Sequence, residues 1–177
     1  MKNLLCASTV MVVMGALLAT MGYSGTAMAG GDKLSSDTRK ELAQARRATA
    51  KYHNIANAIN DGYIDADFLL AGVGCHMINL DLVFGDNGEI DLTKPELLIY
   101  ATEDCAQGAD GQSELRSIEY VRPCNGICDE SNLPEGFSGD DDVWEVFGDN
   151  FLWTLHAWVW RHNPDGIFVK INPRIED

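Results

Sequence analysis

The chain has 177 residues, 46% of them hydrophobic, with 27 acidic against 13 basic side chains and a formal charge of −14. That length and apolar content suit one globular domain and exclude wholesale disorder. The acidity excludes the phosphate-neutralising surface that nucleic acid or anionic lipid requires, and it leaves cations and neutral molecules as the ligands to look for.

Lys2 precedes an uncharged run over residues 4–21, and Ala27-Met28-Ala29 then offers the small residues that a signal peptidase reads. Residues 1–29 are expected to be a cleavable secretory signal and residues 30–177 the mature domain, released to the periplasm or the exterior with no membrane attachment. An uncleaved anchor is the rival, because about 18 apolar residues can span a bilayer. Ser8, Thr9, Gly15 and Thr20 interrupt the run, however, and Cys6 falls at its beginning rather than after it, where no lipoprotein signal places its cysteine.

Thr38 and Glu41 are spaced as a capping box, and Leu42, Ala45, Thr49, Tyr52, Ile55 and Ile59 follow at intervals of three and four. This predicts one amphipathic helix that ends at Asn60-Asp61-Gly62. Its opposite face carries Arg39, Lys40, Arg46, Arg47 and Lys51, a solvated face or, alternatively, a dock for an acidic partner.

Beyond the helix the pattern changes to short apolar runs punctuated by Gly, Asn, Asp and Pro. Strands are expected at 74–79, 97–102, 114–122 and 152–161, with a short one at 167–171. Strands that follow a helix without further helices between them give an α+β domain, an N-terminal amphipathic helix packed on an antiparallel β-sheet. Residues 126–142 form an acidic loop rather than a linker.

Removal of the signal leaves Cys75, Cys105, Cys124 and Cys128, which allow two disulfides in an oxidising compartment. The short loop Cys124-Asn125-Gly126-Ile127-Cys128 favours a local bridge between its ends. A thioredoxin-like redox site would use C-x2-C beside a βαβ unit, and a copper loop would want a neighbouring His or Met where Asp129 and Glu130 stand.

The strongest chemical signal is the run from Trp153 to Trp160, apolar or aromatic on both alternating faces, as in a strand covered on both sides. Within it His156 sits among large rings, so a neutral imidazole with a specific partner is expected. Glu119 shares its strand face with Leu115 and Val121, which directs a carboxylate inward, where it needs a partner. His76 follows Gly72-Val73-Gly74-Cys75, whose missing side chains let a backbone or ligand come close. If these elements meet, His76, Glu119 and His156 form a two-His, one-carboxylate set suited to Zn²⁺, Fe²⁺, Mn²⁺ or Cu²⁺ with positions left open. A metal-free polar pocket and purely structural roles are the alternatives.

Cys75-His76-Met77 also invites copper, but strand alternation sends His76 away from its two sulfur neighbours. His162 lies six extended residues, roughly 20 Å, from His156 and is too far to share a mononuclear site. His53 belongs with the exposed basic face. Asp86-Asn87-Gly88 and the run from Ser138 to Asp142 resemble calcium loops in composition alone. No nucleophile elbow, P-loop or dinucleotide fingerprint is present.

Gly74-Cys75-His76, the run from Pro95 to Tyr100, Ile118-Glu119-Tyr120, and the block from Leu155 to Trp160 followed by Asn163-Pro164-Asp165-Gly166 and Asn172-Pro173-Arg174 resemble a group of small, secreted, functionally uncharacterised bacterial and archaeal proteins. The resemblance runs from about Tyr52 to Ile175 and brings no activity with it. It implies that His76, Glu119 and His156 are the polar positions around which the fold is organised, although Cys75 and Met77 stand where aromatic neighbours are expected.

The expected function is an exported protein that binds a divalent metal ion or a small polar ligand in a His/Glu pocket. Two alternatives use other readings of the same residues. One is a metal-dependent enzyme, with Glu119 or a water as base or nucleophile and His156 as ligand or acid. The other is a non-catalytic envelope interaction protein.

Overall fold

The computed structural model describes residues 34–85, 90–101, 114–124, 126–149 and 151–175. The expected signal segment, Cys105 and Asp86-Asn87-Gly88 lie outside the described residues, as does the end of the strand expected to reach residue 102.

Helix α1 spans Ser36–Thr49 and begins at Ser35, whose hydroxyl accepts from the Thr38 backbone N–H at 3.0 Å. Asp37 in its first turn and Arg46 and Arg47 in its last complement the helix dipole. The cap is therefore Ser35 and not Thr38. Glu41 does not close a capping box but reaches across to Ser138, accepting from its backbone N–H at 2.7 Å and its hydroxyl at 2.6 Å.

The single helix expected through residue 59 is two. After a 3₁₀ turn over Ala50–His53, Asn54 adopts extended angles and its side chain accepts from the Ala56 N–H at 3.0 Å, which caps α2, Ile55–Asn60. A local Asn cap outcompetes helix continuation there, because its oxygen satisfies a donor that the next turn would otherwise leave bare. The helical stripe still packs: Leu42, Ala45, Thr49, Tyr52, Ile55 and Ala58 are buried, while Ile59 is 45% exposed. Gly62, at a φ of +92°, turns the chain out of α2.

Six strands form one antiparallel sheet: β1 Ile64–Leu70, β2 Gly74–Ile78, β3 Leu97–Tyr100, β4 Leu115–Pro123, β5 Trp144–Phe147 and β6 Leu152–Ala157, in the order β1-β2-β3-β4-β6-β5. A short helix α3, Leu80–Gly85, stands between β2 and β3, where the residue pattern predicts none. The α+β architecture is thus as the residue pattern indicates, with two edge strands, β1 and β5, added to those expected. Among the described residues no helix is long and apolar enough to cross a membrane.

Two strand expectations are corrected. β6 ends at Ala157, and residues 167–171 form no strand. Their carbonyls are taken by other partners: Ile167 accepts from Trp158 N–H at 2.9 Å, and Val169 accepts from the Trp158 indole at 2.7 Å and the Asn163 amide at 2.9 Å. Both Asn-Pro turns use one device. The Asn oxygen accepts from the N–H two residues on, at Asp165 and Arg174, while its buried amide donates to a distant carbonyl, Ile171 for Asn163 and His162 for Asn172.

The second correction concerns facing. Tyr100 pairs with Leu115 but Ile99 pairs with Ser117, so Arg116 is an extra residue in β4. One added residue reverses the alternation. Leu115 therefore joins Leu98, Tyr100, Ile118, Tyr120 and Leu155 in the core that α1 and α2 cover, whereas Val121 packs with Leu97, Ile99 and Val83 of α3 on the opposite face. Glu119, two residues before Val121, shares that second face.

Candidate metal centre

Strand register brings His76, Glu119 and His156 together on the face opposite α1 and α2, the face that α3 flanks through Val83. Glu119 lies between Leu97 of β3 and His156 of β6, and His76 of β2 pairs with Ile99, one step along the same face of β3. Gly74 lets β2 approach this closely, because a Cβ there would collide with the Tyr100 carbonyl and its φ of +132° is unfavourable for other residues. All three side chains are buried, at 3%, 5% and 2% exposure respectively.

His76 Nδ1 lies 3.0 Å from the Phe68 carbonyl oxygen. A carbonyl only accepts, so Nδ1 carries the proton and Nε2 presents a lone pair. That lone pair faces Glu119 Oε2 at 3.9 Å, beyond hydrogen-bond reach. On the other side His156 Nδ1 lies 3.4 Å from Glu119 Oε1, and His156 Nε2 is buried without a hydrogen-bond partner. One donor atom from each of the three residues falls within 4.8 Å of the others, a spacing that can hold a metal ion.

Burial sets the protonation. It lowers the pKa of His76 against the pull of the Glu119 carboxylate and the Phe68 carbonyl. It lowers that of His156 to about 4, with the Lys170 cation adding to the effect. It raises that of Glu119, opposed by His76, Lys170 and Thr154. Both imidazoles are therefore neutral near pH 7, the form in which histidine ligates metals.

A cavity of about 120 Å³ opens onto two of the three residues. Its walls come from all six strands, among them Phe68, Ile78, Leu97, Val121, Phe147 and Thr154, and from Leu80, Val83 and Phe84 of α3, so the sheet must curve strongly around it. The two edge strands meet across this face, with the Phe68 and Phe147 rings 5.8 Å apart and Phe68 also 4.9 Å from the His76 ring. His76 and Glu119 line the cavity, while His156 is not part of its wall. Lys170 also lines it, and its ammonium pairs with Glu145 at 3.1 Å.

The remaining candidates fall elsewhere. Cys75 and Met77 point into the helix-side core and Cys75 is disulfide-bonded, so no thiolate joins His76 for copper. Cys124 and Cys128 are bridged, their Cα atoms 5.3 Å apart, which closes the end of β4. His162 is exposed and 3.3 Å from Arg174, and exposed His53 packs edge-on against Trp160 at 4.3 Å. In the acidic loop Asp142 accepts from the Phe137 N–H at 2.8 Å, which makes it a turn fastener. Two exposed cations of α1 are engaged within the fold, Lys40 with Asp37 at 2.8 Å and Arg46 over the Trp160 ring at 4.6 Å.

Phe68, Phe147 and Lys170 complete the site, and residue spacing gives no sign of them. Phe68 follows a bulge at Asp67, whose φ is 51°, and Phe147 closes a four-residue edge strand. Neither a protein family, nor a curated protein, nor a solved structure matches the chain.

Proposed function

We propose that the protein binds a divalent transition metal ion, Zn²⁺, Fe²⁺, Mn²⁺ or Cu²⁺, through His76, Glu119 and His156. The observation that carries this reading is the convergence of a neutral imidazole lone pair, a carboxylate and a second buried imidazole, one of whose nitrogens has no partner. Nitrogen and oxygen ligands bind such ions at about 2.0–2.2 Å, which sets tetrahedral donors roughly 3.4 Å apart, whereas the donors here spread over as much as 4.8 Å. Ligation then requires them to close by about 1 Å, a movement that side-chain rotation would have to supply. The Phe68 carbonyl already holds the His76 ring in the tautomer that ligates through Nε2, the usual outer-sphere arrangement for a metal-bound histidine. The cavity on the His76 and Glu119 side leaves room for water or a small ligand in the open positions.

Export belongs to the same proposal. The Cys124–Cys128 bridge is of a kind that persists in oxidising compartments, and Ala27-Met28-Ala29 offers the cleavage site. The cavity beside the centre also favours an enzymatic use of the same residues over a purely structural one, because catalysis needs space next to the metal.

Elemental analysis of protein purified without chelator or affinity-tag metal tests the reading. The expected result is close to one metal ion per chain, lost from a folded His76→Ala/His156→Ala variant. A wild-type protein that holds no metal and takes up none from Zn²⁺, Co²⁺, Mn²⁺ or Cu²⁺ solutions would overturn it.

A further inference from the structure

The cavity differs from its polar floor in a way that specifies a ligand class. Apart from His76, Glu119, Thr154 and Lys170, every residue that lines it is apolar. Its volume of about 120 Å³ is comparable to the roughly 150 Å³ apolar cavity that accepts benzene. It is not a sealed void: Phe84, Leu80, Phe147 and Phe68 around it are 69%, 46%, 43% and 38% exposed, so its mouth is an apolar rim in contact with solvent. Polar groups at one end and hydrocarbon elsewhere make an amphipathic slot.

We infer that this slot takes a small, mostly hydrocarbon molecule with a single hydroxyl, of about the size of phenol, its body against Leu97, Val121 and Leu152 and its oxygen at His76 and Glu119. The inference deepens the metal reading and rests on it for the head group, since a hydroxyl oxygen is a suitable ligand for an open metal position. Several classes are excluded by the walls. A sugar or amino acid would bury polar groups against Leu97, Ile78 and Val121 without partners, at a cost of several hydrogen bonds. A long acyl chain exceeds the volume. Glu119 at the floor disfavours a free carboxylate when no metal is present, whereas a hydroxyl can donate to that carboxylate.

The sheet face that carries α3 would then be a receptor surface whose selectivity comes from shape and one polar contact. The molecule enters through the exposed rim that the Phe68 and Phe147 rings of the edge strands form with Leu80 and Phe84 of α3. Phe68 connects the two parts of the site, because its ring stands over His76 and its carbonyl fixes the His76 tautomer.

Phenol and benzene are the probes, titrated into metal-loaded and chelator-treated protein while the methyl NMR signals of Leu97, Val121 and Leu152 are followed. The expected result is saturable shifts at these methyls, with phenol bound about tenfold more tightly than benzene, as one added polar contact gives. Val121→Phe, which fills the apolar part of the slot from β4, and Leu152→Phe, which fills it from β6, should each abolish the shifts while metal content stays at the wild-type level. Absence of saturable shifts in fully metallated protein overturns the inference and leaves the metal reading standing. Equal affinity for phenol and benzene overturns the head-group assignment. Phenol binding to a wild-type protein that never takes up metal overturns the metal reading instead and leaves the slot with Glu119 as the acceptor.

Discussion

Leu97 and Leu98 are neighbours in β3, yet they serve different halves of the molecule. Leu98 is fully buried in the core between sheet and helices, together with Tyr100, Ile118, Tyr120 and Leu155. Leu97 packs in a smaller cluster on the other face and borders the cavity. On the helix side the buried hydroxyls are matched: Tyr100 donates to the Tyr52 carbonyl at 2.7 Å, Tyr120 to Leu92 at 2.9 Å and Tyr63 to Pro95 at 2.5 Å. On the other side Ser117 Oγ and His156 Nε2 are buried without partners, and three ionisable groups lie within a few ångströms of one another. The strand period of two lets a single set of strands carry a close-packed face that holds the fold and an under-packed face that is free for chemistry.

If the two faces divide the work in this way, truncation should cost more on the helix side. Leu98→Ala is expected to lower unfolding free energy by about 3–4 kcal/mol, within the usual range for a fully buried leucine. Leu97→Ala, beside space that already exists, should cost less than half as much. Urea denaturation of both variants measures this, and equal losses would break the comparison.

The next effect in size comes from acid. The pKa of His156 falls from its ordinary 6.5 to about 4 in the folded protein. Between those values the unfolded chain holds a proton that the folded chain does not, so stability rises with pH across the window and is lost as pH falls from 6.5 towards 4. For so buried a group the loss is about 3 kcal/mol. His76, also lowered, acts in the same direction. Glu119, raised, acts oppositely, because the folded chain keeps its proton above the ordinary carboxylate pKa. Metal-free wild type should therefore destabilise below pH 6.5 more steeply than His156→Gln, which lacks the titrating ring. Identical pH profiles for the two proteins would remove His156 from the account. At neutral pH, metal at a hundred times its dissociation constant should add about 2.7 kcal/mol, an increment absent from the His76→Ala/His156→Ala variant.

Much of this division could be read from the residues, and the parts that could not share one physical cause. The apolar runs of β2, β3, β4 and β6 announce strands because they are central, and the helical stripe survives the Asn54 break because both helices present it to the same core. Alternation alone correctly sends His76 away from Cys75 and Met77. The edge strands β1 and β5 carry Asp65, Asp67 and Glu145 and are largely exposed, so no hydrophobic pattern marks them. The extra residue at Arg116 reverses Leu115, a change that only the partner strand reveals. Strand order and curvature are likewise non-local: nothing near His76 tells that β4 and β6 will bring Glu119 and His156 to it, or that Phe68 will meet Phe147.

The smallest expected effect tests the polar half of the contrast. Tyr100→Phe removes the hydroxyl that satisfies the buried Tyr52 carbonyl and should cost about 1 kcal/mol. Ser117→Ala removes a buried hydroxyl that satisfies nothing, so it should be neutral within about 0.5 kcal/mol or slightly stabilising. Both residues are fully buried on adjacent strands, so hydrophobic exposure does not separate them and hydrogen-bond satisfaction does. A Ser117→Ala loss as large as that of Tyr100→Phe would mean that the serine hydroxyl has a partner in solution, an ordered water or a ligand. The face opposite α1 and α2 would then be polar-satisfied in the same way as the core.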